Sequence, residues 1–170
     1  MLQAGGGVNR DMEIIGDLPV RRSVLALLAV GSLAACEKPA PRELAIKDAW
    51  VRLAAVPGNP AAAYFTVHGG AAADRLTAIT SDKVATVEMH RMGMEGGMMT
   101  MEPLTEAVVP ANGDLIFATG GNHAMLFGAD PSVKPGGKLP LTFRFKSGKA
   151  LTAEAKVLAA GDAAPDRKAP

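Results

Sequence analysis

Cysteine is almost missing from this chain: Cys36 is its only one in 170 residues. With no second thiol there is no internal disulfide, and the fold must be held by its core. Aromatic residues are scarce too, at 4%, with one Trp, one Tyr and five Phe. No apolar run is long enough for a stable membrane span; the longest, Ser23 to Ala35, falls well short of about 20 residues. Charge of one sign is also absent, since the formal net charge is +1. A nucleic-acid binder needs a basic face, so that class is set aside. No Ser-His-Asp spacing, nucleophile elbow, phosphate loop or carboxylate pair stands out, which argues against an enzyme.

The one cysteine is placed tellingly. Arg21-Arg22 precedes the apolar run, and the run closes on Leu33-Ala34-Ala35-Cys36. This reads as residues 1–35 forming a signal peptide that ends in a lipobox, with Cys36 as the lipidated residue after cleavage. Val20 and Ser23-Val24-Leu25 fit a twin-arginine signal poorly, and the export route stays open. Acyl chains on Cys36 would anchor the protein to a membrane facing the periplasm or cell envelope, each buried CH2 adding about 0.8 kcal/mol. Residues 36–43, with Pro39 and Pro41, read as a tether. Residues 44–158 read as one folded domain. Residues 159–170, small, charged and proline-bearing, read as a disordered tail.

Within 44–158 the pattern is all-β. Candidate strands are 44–53, 62–68, 75–80, 84–90, 98–104, 114–118, 123–127, 138–146 and 150–158. Glycine, proline and asparagine clusters separate them. Leu139, Leu141, Phe143 and Phe145 alternate with Pro140, Thr142, Arg144 and Lys146, as a half-buried antiparallel strand requires. Many short strands with frequent turns predict a sandwich or barrel.

Methionine is what the chain has in excess. Six of the nine lie between 89 and 101: Met89, Met92, Met94, Met98, Met99 and Met101. His90 lies among them, and His123 and Met125 follow Gly120-Gly121. Thioether sulfur and imidazole nitrogen suit a soft monovalent ion such as Cu(I), whereas Zn(II) and Mg(II) want thiolate, imidazole or hard oxygen. Thioether carries no proton to lose, and imidazole must be neutral to bind. Two residues apart on a strand, His123 and Met125 share a face. Blue-copper and copper-A electron-transfer sites both need cysteine, so the folded part excludes them. Other readings stand beside this one. A lone methionine is core filler as a rule, and Met89, which alternates away from His90, is assigned to the core. Met92, Met94, Met98 and Met99 form an exposed loop that serves as an accessory metal or docking surface, or simply as packing. Glu88 and Glu95 read as solvated, His68 as a surface histidine, and Trp50 and Tyr64 as core aromatics.

His90, Met101, His123 and Met125 stand at H-x10-M-x21-H-x-M. With Asp48-Ala49-Trp50-Val51-Arg52, Ala62-Ala63-Tyr64, Ala73-Asp74-Arg75-Leu76 and Leu141-Thr142-Phe143, this resembles the PCuAC family of periplasmic copper chaperones over roughly residues 44–158. The resemblance implies a single cupredoxin-like Greek-key β-sandwich domain. It implies a Cu(I) site of His90, Met101, His123 and Met125, with His90 and Met101 at strand ends joined by a 91–97 loop. It implies delivery of copper toward the copper-A centre of cytochrome c oxidase, with oxidase subunit II or a Sco-type copper protein as partner. The alternative is a storage or tolerance lipoprotein that sequesters Cu(I) through the same residues. Some relatives carry a His- and Met-rich C-terminal extension; this tail has neither residue type.

Overall fold

A computed structural model describes residues 42–165. Residues 1–35, read as a signal peptide, Cys36 and most of the stretch read as a tether lie outside the described residues. The chain divides into two units, 1–37 and 38–170, and the described residues belong to the second.

Ten strands and no helix are found among the described residues. They are β1 (Ala45–Arg52), β2 (Ala61–His68), β3 (Asp74–Thr80), β4 (Val84–Glu95), β5 (Met98–Leu104), β6 (Ala107–Val109), β7 (Asp114–Phe117), β8 (His123–Ala129), β9 (Lys138–Phe145) and β10 (Ala150–Leu158). Nine match the strands expected from alternation and turn residues. The tenth, β6, is three residues long, too short to show a period. It pairs with the start of β3.

All ten strands share one hydrogen-bonded sheet, ordered β5-β4-β8-β2-β1-β10-β9-β3-β6, with β7 paired to β2. The second edge of β2 is divided. Ala61–Ala63 pair with β8, and Phe65–His68 pair with β7. The first and last strands, β1 and β10, lie side by side and parallel.

The sheet folds over on itself. β9 is three strands from β2, which is about 14 Å in a flat sheet. Yet the Phe143 ring of β9 meets the Phe65 ring of β2 edge-to-face at 4.8 Å between centroids. Phe65 also stacks on Phe117 of β7 at 4.3 Å. Two layers therefore enclose a core that includes Val51, Val67, Leu76, Val109, Leu126, Leu139, Leu141 and Val157, all essentially inaccessible to water. This is the expected all-β sandwich, made from one continuous ladder.

Alternation decides who enters that core. Leu139, Leu141, Phe143 and Phe145 point in, while Lys138 and Arg144 point out. Met89 is buried with them, as expected. Trp50 and Tyr64 flank the core instead of lining its centre. Their neighbours Val51 and Ala63 take the core, so this directly opposed pair faces outward. The rings stack at 4.3 Å, with the Arg52 guanidinium 5.1 Å from the indole centroid. Trp50 is buried, as expected, but beside the main core cluster, and Tyr64 is only half-buried.

Candidate metal centre

The site is built on three strands at one end of the sheet. β8 runs between β2 and β4, and β5 is the outermost strand. The register of β4 against β8 sets His90 directly opposite His123 and Glu88 opposite Met125. These four side chains share one face. Met89, Ala124 and Leu126 occupy the other face and are core.

The 91–97 loop expected from the sequence is strand instead. β4 continues to Glu95, and only Gly96 and Gly97 turn the chain. Both have positive φ, at 56° and 83°. Two consecutive left-handed residues make the tight hairpin turn whose twist matches the flanking strands. The methionine stretch is therefore a two-stranded ribbon with Met92 opposite Met101, Met94 opposite Met99 and Glu95 opposite Met98. His90 faces Pro103, so Met101 stands one row along from His90 and not across from it.

Met101 nonetheless reaches the histidines. Its Sδ lies 3.3 Å from His123 Nε2. The two imidazoles stack at 5.9 Å between centroids, 19° from parallel. His123 is 8% exposed, whereas Met101 is 52% exposed. The site thus has a sheltered nitrogen side and an open sulfur side. Met125, two residues from His123 and half-buried, completes the row by register.

Ring hydrogen bonds define which nitrogens are free. His123 Nδ1 lies 3.1 Å from the Gly121 carbonyl oxygen, which can only accept. Nδ1 therefore carries the proton, and Nε2 presents its lone pair toward Met101. His90 is turned the other way. Its Nε2 donates to Glu88 Oε2 at 3.2 Å. Its Nδ1 is buried with no hydrogen-bond partner. An unpartnered polar atom in a protein interior is uncommon and calls for a reason. A metal ion taken up by that lone pair supplies one. Among the described residues no group of three or more His, Cys, Asp and Glu side chains forms a metal-binding cluster. A donor set of two imidazoles and two thioethers fits a soft monovalent ion.

Glu88 is what sequence reasoning underrated. In sequence it reads as solvated, and it is 52% exposed, yet its carboxylate accepts from His90 Nε2. The signal was available: Glu-x-His on a strand puts both on one face. The four further methionines divide. Met92, Met94 and Met99 lie on the metal-site face, and Met98 lies on the opposite one with Glu95. His68 sits at the far end of β2 from the β8 pairing. It bonds to Asp114 at 2.5 Å, with the Arg42 guanidinium 3.7 Å from the same carboxylate.

Comparison with known families gives the same placement. The family model "Putative lipoprotein LpqE-like" matches residues 44–157. The chain belongs to the LpqE-like family. Among solved structures this LpqE-like domain is similar to the copper-bound PCuAC domain from PmoF2, at 20% identity and a TM-score of 0.57, covering 70% of this chain and 97% of that one. It is similar to the apo PmoF2 PCuAC domain at 21% identity and a TM-score of 0.59, covering 72% and 95%. It also matches Cu(I)-DR1885 from Deinococcus radiodurans at 23% identity and a TM-score of 0.54, covering 71% and 81%. The fold is that of PCuAC domains, as the H-x10-M-x21-H-x-M resemblance implied. No curated protein matches the sequence.

Proposed function

We propose that this protein is an extracytoplasmic Cu(I) chaperone, with His90, Met101, His123 and Met125 as the metal site. The observation that carries this is the pairing of free lone pairs with sulfur. His90 Nδ1 is buried without a partner, and His123 Nε2 faces the Met101 thioether at 3.3 Å. Copper bound by the PmoF2 domain and by DR1885 on the same fold supports the reading.

The half-exposed Met101 favours transfer over storage. A site meant to sequester copper gains from enclosure. Here one thioether ligand stands at the surface, where an acceptor's ligand can replace it before the nitrogens let go. Thioethers also bind less tightly than thiolates, which suits release. The acceptor is proposed to be the copper-A centre of cytochrome c oxidase, in subunit II, directly or through a Sco-type protein. The LpqE-like lipoprotein family supports an extracytoplasmic place, with Cys36 as the lipid-bearing residue.

The test is an anaerobic Cu(I) competition titration against a chromophoric chelator. Wild type takes up one tight equivalent. Met101→Ala and His123→Ala each weaken it by about 10–100-fold or more. Equal binding by both variants would remove the quartet. Transfer from the loaded protein to an oxidase subunit II fragment then separates delivery from storage, since a sequestering protein keeps its copper.

A further inference from the structure

The quartet leaves three methionines on its own face unexplained. Met94 and Met99 oppose each other directly across the β4–β5 ribbon, one row beyond the opposed pair Met92 and Met101. The register between the two strands is unbroken from Met89 to the turn. Strict alternation therefore places Met92, Met94, Met99 and Met101 together, in line with His90 and His123. Met94 is 72% exposed and Met99 57%. Burying an apolar side chain of this size is worth about 1.5–3 kcal/mol, and here that gain is forgone. A strand needing only β-propensity would use β-branched or aromatic residues at these positions. What recurs instead is the thioether.

Directly opposed Cβ atoms in an antiparallel pair stand about 4.5–5.5 Å apart, and diagonal ones up to about 7–8 Å. Methionine has three rotatable bonds and a polarizable sulfur, so sulfurs from such positions converge on one ion without moving the backbone. Glu95, the carboxylate nearest the turn, pairs with Met98 on the opposite face and offers no hard oxygen to the row.

We propose that Met92, Met94 and Met99 form a second, outer site for a soft monovalent cation, Cu(I) or its redox-silent analogue Ag(I). It is built from thioethers alone and is open to water, so it binds more weakly than the inner site. It adjoins the Met92–Met101 row, so an ion captured at the ribbon tip moves inward along one face, one pair of ligands at a time. The outer site goes beyond the quartet and rests on thioether chemistry that stands without it.

The test is a titration of the full chain, labelled at its methionine methyl groups, with Ag(I), followed by NMR. The first equivalent shifts the Met101 and Met125 methyls. A second shifts Met92, Met94 and Met99, at a free Ag(I) concentration about tenfold or more higher. The double variant Met94→Leu/Met99→Leu keeps volume and loses sulfur. It loses the second phase and keeps the first. In His123→Ala the inner phase weakens and the outer phase stays, so each site stands or falls on its own methyl signals. Met94 and Met99 methyls that stay fixed through several equivalents would overturn the outer site. So would a double variant that still binds a second equivalent.

Discussion

At His90 the two ring nitrogens meet different neighbours, and that difference sets its chemistry. The Glu88 carboxylate accepts a hydrogen bond from Nε2–H, leaving the Nδ1 lone pair free. At His123 the Gly121 carbonyl accepts a hydrogen bond from Nδ1–H, leaving the Nε2 lone pair free. In the proposed site the two imidazoles would offer opposite nitrogens, each ring oriented by an oxygen behind it. Partners of this kind are worth about 10–100-fold in metal affinity. Glu88→Ala is expected to weaken Cu(I) binding by about tenfold, while Glu88→Gln, whose side-chain oxygen still accepts from Nε2, recovers most of the loss. The competition titration measures both. Equal affinity in wild type and Glu88→Ala would leave Glu88 a solvated residue with no part in binding. The quartet itself was legible because His-x-Met needs only strand alternation. Glu88 was passed over because an exposed carboxylate gives no sign, in sequence alone, of which neighbour it holds.

The β4–β5 ribbon shows where sequence reading stopped at the scale of an element. Hydrophobic period could not carry β4 past His90 into this ribbon, since methionine falls on both faces: Met89 in the core, Met92 and Met94 toward His90, Met98 on the far side. Its length follows from the turn, and the turn from two left-handed glycines. A Cβ at Gly96 or Gly97 would meet no atom within 4 Å, so any cost of substitution is backbone strain alone. Gly97→Val is expected to lose about 1–2 kcal/mol of local hairpin stability. Hydrogen exchange in the ribbon should accelerate while the melting of the core barely moves. Cu(I) affinity should fall with it, because Met101 is held toward His123 only by this register. Protection that matches wild type from 91 to 102 would count against the turn as the register's source. β6 escaped notice for a simpler reason: three residues cannot declare a period.

For the whole molecule, aromatic packing ties the two layers inside, and polar contacts tie neighbouring strands at the rim. Asp74 at the start of β3 is one such tie. Its carboxylate accepts from the Ser147 hydroxyl at 2.5 Å, the Ser147 amide at 3.1 Å and the Arg75 amide at 2.8 Å. Partial desolvation pushes the Asp74 carboxyl upward, but these hydrogen bonds and nearby Lys149 outweigh it and hold the group below its ordinary value. A depressed folded value means stability that is present above the unfolded value, about 3.9, and is lost as pH falls through the folded one. Asp74→Ala should cost about 1 kcal/mol near neutrality. It should lose less than wild type on acidification below about pH 4. Thermal melts at two pH values check this, and parallel losses in both proteins would count against the linkage. The sandwich class was legible because alternation in β9 and β10 needs a core on one side. The single continuous ladder was not, since pairing between distant strands leaves no local trace.

One of those distant pairings orders events in time. β1 is the first strand of the domain and β10 the last, yet they are immediate neighbours, Trp50 beside Lys156 and Arg52 beside Leu158. As the chain emerges from a ribosome or an export channel, residues 45–52 have no final partner on that edge until residues 150–158 follow. Closure therefore comes last, nearly the whole domain late. Contacts of such sequence separation also form slowly.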